Sequence, residues 1–216
     1  VGFTGITGSS DLITLPSSGV YTLTVRGTGG QYGGSFSFKL EETTQTNLTL
    51  GVTYSGTLAG SGHAQIFVVN VPSSMPMQVV LNDSSSGDRN ELYVKFGLPP
   101  TRSDFDYRFS SPSAANQKVM VPMAAVGKWY VLVYGNYVPT PSGYTLLATA
   151  TNIILTAVTP ERLANNAAMI LTLTGAGFDS TTTVRLVSSS GPAYTAASVQ
   201  MDSFTQITSV FGINTV

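Results

Sequence analysis

Alternating apolar and polar residues dominate this chain. In residues 21–26 (YTLTVR) the odd positions are apolar and the even positions polar, and residues 36–40 (FSFKL) repeat the scheme. Successive side chains of a strand point to opposite faces of a sheet, so this pattern predicts strands with one buried and one solvated face. Residues 129–134 (WYVLVY) are apolar throughout, which predicts a central strand covered on both faces.

Turn-forming residues separate these segments. Clusters of Gly, Ser, Pro and Asn recur, several at the 8–12-residue spacing typical of β-sandwiches. Helical periodicity is weak, because the best candidate, residues 160–168, is at most two turns long and is interrupted by Asn165 and Asn166. The sequence therefore predicts an all-β protein. The predicted turns lie at residues 16–19, 27–30, 83–87, 139–143 and 188–192.

An internal repeat underlies the alternation. Residues 19–27 (GVYTLTVRG) lie 108 residues before residues 127–135 (GKWYVLVYG). A long regular period is typical of tandem modules, so we expect residues 1–43 to be the closing strands of one module and residues 44–150 to be a complete one. Strands cut from their sheet leave backbone groups unpaired, so we expect those of 1–43 to pair with each other and lean on the next module. The same offset relates Phe36, Phe38 and Leu40 to Tyr144, Leu146 and Ala148.

Charge and cysteine content exclude several classes of function. The chain has ten Lys and Arg residues and eleven Asp and Glu residues, which gives a net charge of −1. It therefore has no basic surface charge to attract nucleic acid. Charged residues make up 10% of the chain, against about 25% in typical globular proteins. The absence of Cys and the single His63 exclude disulfides, thiolate nucleophiles and His-based metal centres.

The chain shows no sign of membrane insertion. No apolar run approaches the roughly 18 residues of a transmembrane helix. The first residues, Val1, Gly2 and Phe3, lack the basic start of a signal peptide. We therefore expect a piece of a longer exported protein, located outside the cell as a secreted or cell-surface segment.

Residues 56–148 carry a series of short motifs in a fixed order. Together they resemble the bacterial pre-peptidase C-terminal (PPC) domain family, which includes the collagen-binding domains of secreted collagenases. The resemblance implies a small jelly-roll-like β-sandwich over about residues 44–150, of the kind appended to secreted enzymes and surface proteins. The motifs are Ser55-Gly-Thr-Leu58, Ile66-Phe-Val68, Glu91-Leu-Tyr-Val94, Pro99-Pro-Thr101, Phe105-Asp-Tyr-Arg108, residues 127–135 and Gly143-Tyr-Thr145.

Residues 151–216 carry a second set of motifs, centred on Gly175-Ala-Gly-Phe178. Glycines allow a tight corner there while Phe178 fills the core behind it, and no helix follows as a phosphate-binding loop would require. This part resembles an IPT/TIG immunoglobulin-like domain, which implies an Ig-like β-sandwich, although Val216 comes where that family adds closing strands. The other matching segments are Val158-Thr-Pro160, residues 169–174 and residues 183–186.

Oxygen-bearing side chains crowd one predicted turn. Asp83, Asp88, Asn90 and Glu91 are of the type that binds Ca²⁺, yet they are also ordinary turn residues. Some PPC domains bind calcium through an acidic linker and carboxylates before the first core strand. By resemblance Glu41 and Glu42 supply the linker, but residues 63–65 (HAQ) lack a carboxylate. The sequence requires no cofactor, and calcium is the one candidate.

Four tyrosines form the other candidate site. Tyr32, Tyr134, Tyr137 and Tyr144 surround the predicted 129–144 hairpin. Exposed aromatic rings stack on sugars or press on a collagen-like helix. In sandwich strands the same residues also serve as core or cross-strand partners.

No pattern of catalytic residues stands out. His63 has no recognisable triad partner, and no Gly-x-Ser-x-Gly nucleophile turn occurs. The chain is therefore predicted not to be an enzyme but a spacer and interaction segment of a large bacterial surface protein, with an adhesive role. The alternative is a carbohydrate- or collagen-binding module appended to a secreted hydrolase. The expected partners are polysaccharide, an extracellular protein and neighbouring modules of the same parent chain.

Overall fold

The computed structural model describes residues 12–13, 15, 18–25, 27, 42–162, 168–187 and 191–212. Within these ranges every regular element is a β-strand, which confirms the predicted all-β class. No helix of the described ranges has the length and apolar character needed to cross a membrane. The strands are β1 (Gln45–Asn47), β2 (Tyr54–Leu58), β3 (Ala64–Val71), β4 (Met75–Asp83), β5 (Arg89–Phe96), β6 (Tyr107–Arg108), β7 (Gln117–Ala124), β8 (Gly127–Tyr137), β9 (Ser142–Ala150), β10 (Ile154–Thr159), β11 (Met169–Ala176), β12 (Arg185–Val187), β13 (Ala193–Thr195), β14 (Ser198–Ser203) and β15 (Gln206–Phe211).

The first nine strands form two sheets. One is five-stranded in the order β1-β3-β8-β5-β6, and the other is four-stranded in the order β2-β9-β4-β7. Strand β8 lies in the centre of the first sheet, and its Val131, Leu132 and Val133 are fully buried. The predicted central strand is therefore confirmed. Pro122 sits in the edge strand β7, where its missing N–H interrupts no central ladder.

Two side-chain contacts show that these sheets face each other. The rings of Tyr54 on β2 and Phe67 on β3 meet edge to face, with centroids 4.8 Å apart. Tyr144 on β9 donates a hydrogen bond to Gln65 on β3. The sheets enclose an apolar core, as a β-sandwich requires.

The outer face of the five-stranded sheet is covered as well. Because side chains alternate along a strand, a second apolar cluster lies on the face opposite the sandwich core. Phe105, Phe109 and the N-terminal Leu12 pack against it, so the segment after β5 covers the sheet from outside. The buried members of this cluster are Ile66, Tyr93, Leu132 and Tyr134.

The last six strands form a four-stranded sheet in the order β10-β11-β15-β14 and a two-stranded ribbon, β12-β13. Alternate residues of β11 and β15 point into a core that contains Phe178 and Val184. The predicted glycine corner is confirmed. Gly177 has a φ of 83°, and a Cβ there would overlap the carbonyl oxygen of Asn152, so only glycine fits.

The described residues divide into two compact units, whose segments run within the following ranges. The first comprises Val1–Asn70, Val80–Val119 and Lys128–Leu147. The second comprises Val71–Val79, Met120–Gly127 and Ala148–Val216. The module boundaries placed after residues 43 and 150 stay predictions.

The strand predicted at residues 21–26 is wrong over its described part. Residues 21–25 adopt no regular secondary structure, and Tyr21, Leu23 and Val25 are exposed. Alternation sorts side chains between two faces, but a strand forms only where neighbouring backbones accept and donate its hydrogen bonds. The predicted partner, residues 36–40, and most of the helix candidate, residues 163–167, lie outside the described residues.

Candidate functional site

Strand β5 places polar side chains on both faces of the five-stranded sheet. Its residues alternate, so Glu91 and Tyr93 lie on the outer face while Asn90 points the other way. The strand follows directly on the predicted turn at residues 83–87, which lies between β4 and β5 as expected. Two separate polar clusters result, one on each side of β5.

The outer cluster consists of Glu91, Tyr93, Arg102 and Tyr134 and is centred on an ion pair. We call it the Arg102 latch. The Nε and Nη2 groups of Arg102 donate to the two carboxylate oxygens of Glu91 at 2.6 and 2.8 Å. The hydroxyl of Tyr93 donates to the same carboxylate at 2.9 Å. The guanidinium carbon lies 4.4 Å from the ring centroid of Tyr134, a cation–π contact. Glu91 is thus buried with its charge neutralised and its oxygens hydrogen-bonded.

Two members of the Arg102 latch, Tyr93 and Arg102, keep their ordinary charge at neutral pH. Burial, followed by the hydrogen bond to Glu91, raises the pKa of the Tyr93 phenol. The hydrogen bond to Glu91 raises the pKa of Arg102. At neutral pH the phenol is therefore protonated and the guanidinium charged. The arrangement attaches the segment after β5 to the sheet.

The inner cluster, which we call the turn cluster, consists of Asp83, Ser85, Asp88, Asn90 and Ser142. Asp83 accepts the backbone N–H of Ser85 at 2.8 Å and the side-chain amide of Asn90 at 2.6 Å. Asp88 accepts the hydroxyl groups of Ser85 at 3.1 Å and Ser142 at 2.5 Å. Both carboxylates therefore share Ser85, and Ser142 brings in strand β9.

Two buried amide oxygens have no hydrogen-bond partner: Oδ1 of Asn90, within the turn cluster, and Oε1 of Gln117, next to it. The Gln117 Nε2 group donates to the carbonyl oxygens of Asn90, Ser111 and Ala114 at 2.8, 2.7 and 2.8 Å. The donors of this side-chain amide are thus used while its acceptor is not. An unpartnered buried acceptor is uncommon in native proteins and calls for a ligand, an ion or a water molecule.

The residues predicted to bind calcium are only partly brought together. Asp83, Asp88 and Asn90 meet in the turn cluster, whereas Glu91 is held by Arg102 on the other face. Glu42 is exposed, and Glu41 lies outside the described residues. Across the described ranges no group of three or more His, Asp or Glu side chains is placed to hold a metal ion.

The predicted aromatic patch is dispersed. Tyr134 is buried beneath Arg102, and Tyr144 is buried between the two sheets. Tyr137 is 50% exposed, with the guanidinium of Arg89 5.6 Å from its ring centroid. Tyr32 lies outside the described residues.

Some residues of these clusters left no local signal in the sequence. Arg102, Gln117 and Ser142 contact partners on other strands, so only the fold identifies them. His63 follows the turn at residues 61–62, and its Nδ1 accepts the backbone N–H of Ala59 at 3.1 Å.

No model of a known protein family matches the chain. No curated protein matches it either. Among solved structures it is similar to the pre-peptidase C-terminal domain of collagenase from Bacillus anthracis, with 17% identity over 51% of this chain and 100% of that chain and a TM-score of 0.43.

The chain is also similar to PliG of Aeromonas hydrophila, a periplasmic inhibitor of g-type lysozyme, with 14% identity over 50% of this chain and 100% of that chain and a TM-score of 0.37. For PliG of Salmonella Typhimurium the identity is 14%, the coverage 49% and 99%, and the TM-score 0.29. At these TM-scores the likenesses carry no argument, so the fold rests on the strands and pairings described above.

Proposed function

We propose that this chain is a non-catalytic extracellular segment, a spacer and interaction region of a large secreted or cell-surface bacterial protein. One observation carries the proposal: every regular element of the described residues is a strand, and these strands belong to two compact units. Compact units built only of strands suit a modular surface protein.

The chemistry of the buried charges supports the same proposal. A general acid or base must be able to exchange a proton near neutral pH. Glu91 instead accepts hydrogen bonds from two of the three guanidinium nitrogens of Arg102, and Tyr93 keeps its proton. These groups stabilise the fold. The lack of Cys and the low charge also suit a protein that functions outside the cell.

Tyr137 favours the alternative, a carbohydrate- or collagen-binding module appended to a secreted hydrolase. Its ring is half exposed beside Arg89, and the neighbouring Asn136 is exposed and accepts a hydrogen bond from Arg102 at 3.5 Å. An exposed ring flanked by hydrogen-bonding groups is suited to stack on a sugar.

Retention on solid ligands separates the two functions. The pure chain is passed over cellulose, chitin, xylan and fibrillar collagen, with serum albumin as the background. A spacer shows no retention above that background. If the chain is retained, if Tyr137→Ala abolishes the retention and if the exposed control Phe96→Ala preserves it, the chain is a binding module and not a spacer. Turnover of ester, peptide or glycoside substrates by the pure chain would contradict a non-catalytic role.

A further inference from the structure

We propose that the turn cluster binds one Ca²⁺ ion, with Asp83 and Asp88 supplying the negative charge. The inference does not depend on the proposed function, because it concerns charge and hydrogen bonding inside one turn. The site lies between β4 and β5 and uses neither Glu41 nor Glu42.

The first argument is uncompensated charge. Asp88 is only 1% exposed, yet no basic side chain in the described ranges forms an ion pair with it or with Asp83. The adjacent Arg89 lies over the ring of Tyr137 instead. Hydroxyl donors from Ser85 and Ser142 supply dipoles but no charge. Burying a carboxylate without a counter-charge is costly, so the site as it stands calls for a cation.

The second argument comes from a neutral group and is independent of the acids. Asn90 is completely buried, and its amide lies against Asp83 with Nδ2 2.6 Å from the carboxylate. Its Oδ1 has no hydrogen-bond partner. Its Nδ2 also donates to the carbonyl oxygen of Ala115 at 2.9 Å, so the donors of this amide are used and its acceptor is not. A buried acceptor next to a carboxylate in this way is satisfied by a cation or by a water molecule. The Oε1 of Gln117 is also unpartnered, and the side chain that carries it is hydrogen-bonded to the backbone of Asn90. Both unpartnered oxygens therefore lie near the same turn.

The donor set selects the kind of cation. Carboxylate, amide and hydroxyl oxygens are hard ligands, and neither nitrogen nor sulfur ligands are present in the turn cluster. Ca²⁺ accepts six to eight such oxygens in flexible geometry, whereas Mg²⁺ demands a near-ideal octahedron and keeps its water. Two carboxylates give weak binding, with a dissociation constant on the order of 10⁻⁴ to 10⁻³ M, the range of extracellular calcium modules.

Calorimetric titration and thermal unfolding test the site. The 216-residue chain is titrated with CaCl₂ and MgCl₂ and melted in millimolar Ca²⁺ or in chelator. We expect one Ca²⁺ per chain, a melting temperature raised by about 3 °C at a Ca²⁺ concentration about tenfold above the dissociation constant, and a smaller response to Mg²⁺. Asp88→Asn and Asp83→Asn should each weaken Ca²⁺ binding at least about tenfold, because each removes one of only two charged ligands.

Two matched controls keep the Ca²⁺ response. Asp179→Asn alters a turn carboxylate of the second unit, which accepts hydrogen bonds from the hydroxyl groups of Thr181 and Thr182. Glu42→Gln alters the linker position suggested by family resemblance. Loss of the response in Glu42→Gln together with its persistence in Asp83→Asn would overturn the proposal. So would a wild-type chain that binds no Ca²⁺.

Stability in chelator separates a cation site from a purely hydrogen-bonded turn. If Asp88 lacks its counter-ion there, Asp88→Asn should melt no lower than the wild type in chelator and lose only the rise with Ca²⁺. A turn that needs Asp88 solely as an acceptor would melt lower by the same amount in both conditions, which contradicts the proposal. Should Asp88→Asn fail to fold, Asp83→Asn decides by calorimetry, since Asp83 is less buried.

Discussion

Two regions with nearly the same pattern have opposite fates in this molecule. Residues 127–135 form most of β8, in the centre of a five-stranded sheet. Residues 19–27, the matching copy, have no strand at any described position. At equivalent positions Val133 is fully buried and Val25 is 46% exposed. The two segments share the local pattern, so something outside the pattern determines whether each forms a strand.

The difference lies in the neighbouring strands. Strand β8 has β3 on one side and β5 on the other, and its pairing with β5 runs from Trp129 opposite Phe96 to Tyr137 opposite Arg89. Its backbone groups are therefore satisfied on both sides. The described residues 18–25 take part in no ladder. Alternation determines which side chains face a core only once partners have supplied the hydrogen bonds.

The largest contrast is expected for the aromatic residue that begins each copy. Trp129→Ala should lower the free energy of unfolding by about 3–5 kcal/mol, because the buried indole packs on Phe96 and Tyr107. The equivalent Tyr21→Ala should cost less than about 1 kcal/mol, because that ring is half exposed. Trp129 is the only tryptophan, so unfolding in urea is followed by far-UV circular dichroism. Similar costs for the two substitutions would break the comparison.

A smaller difference in the free energy of unfolding is expected when the same substitution, Val to Ala, is made in both copies of the repeat. Val133→Ala removes two methyl groups from a fully buried site and should cost about 2 kcal/mol. Val25→Ala removes the same atoms from an exposed site and should stay within about 0.5 kcal/mol. Urea midpoints at constant m-value measure both. A loss above about 1 kcal/mol at Val25, twice the expected limit, would place that residue in a core.

The smallest effect concerns Tyr144, whose counterpart in the first copy is Phe36. Burial, followed by the field of Tyr54, raises the pKa of the Tyr144 phenol. The native state then keeps a proton that the unfolded chain releases above its ordinary pKa of about 10, so stability is present below that pH and falls as pH rises above it. Tyr144→Phe should make this alkaline loss shallower by about 1.4 kcal/mol per pH unit. An unchanged slope in pH-dependent urea unfolding would show that Tyr144 does not titrate differently on unfolding.

Local sequence was enough for elements whose determinants are close together. The apolar run at 129–134, the turn at 83–87 and the glycine corner before Phe178 each depend on a few consecutive residues. The Arg102 latch and the contact of Asp88 with Ser142 depend on strands meeting in space. Sequence reasoning therefore grouped Glu91 with Asp88 because they are close along the chain, whereas strand alternation places Glu91 and its neighbour Asn90 on opposite faces.

Native-state hydrogen exchange of the 216-residue chain tests most directly whether partner strands, and not the alternating pattern, decide the two fates. Amides of residues 129–134 should exchange only through global unfolding, while those of residues 22–25 should exchange at nearly the rate of an unfolded peptide. Comparable protection in the two copies would contradict the account.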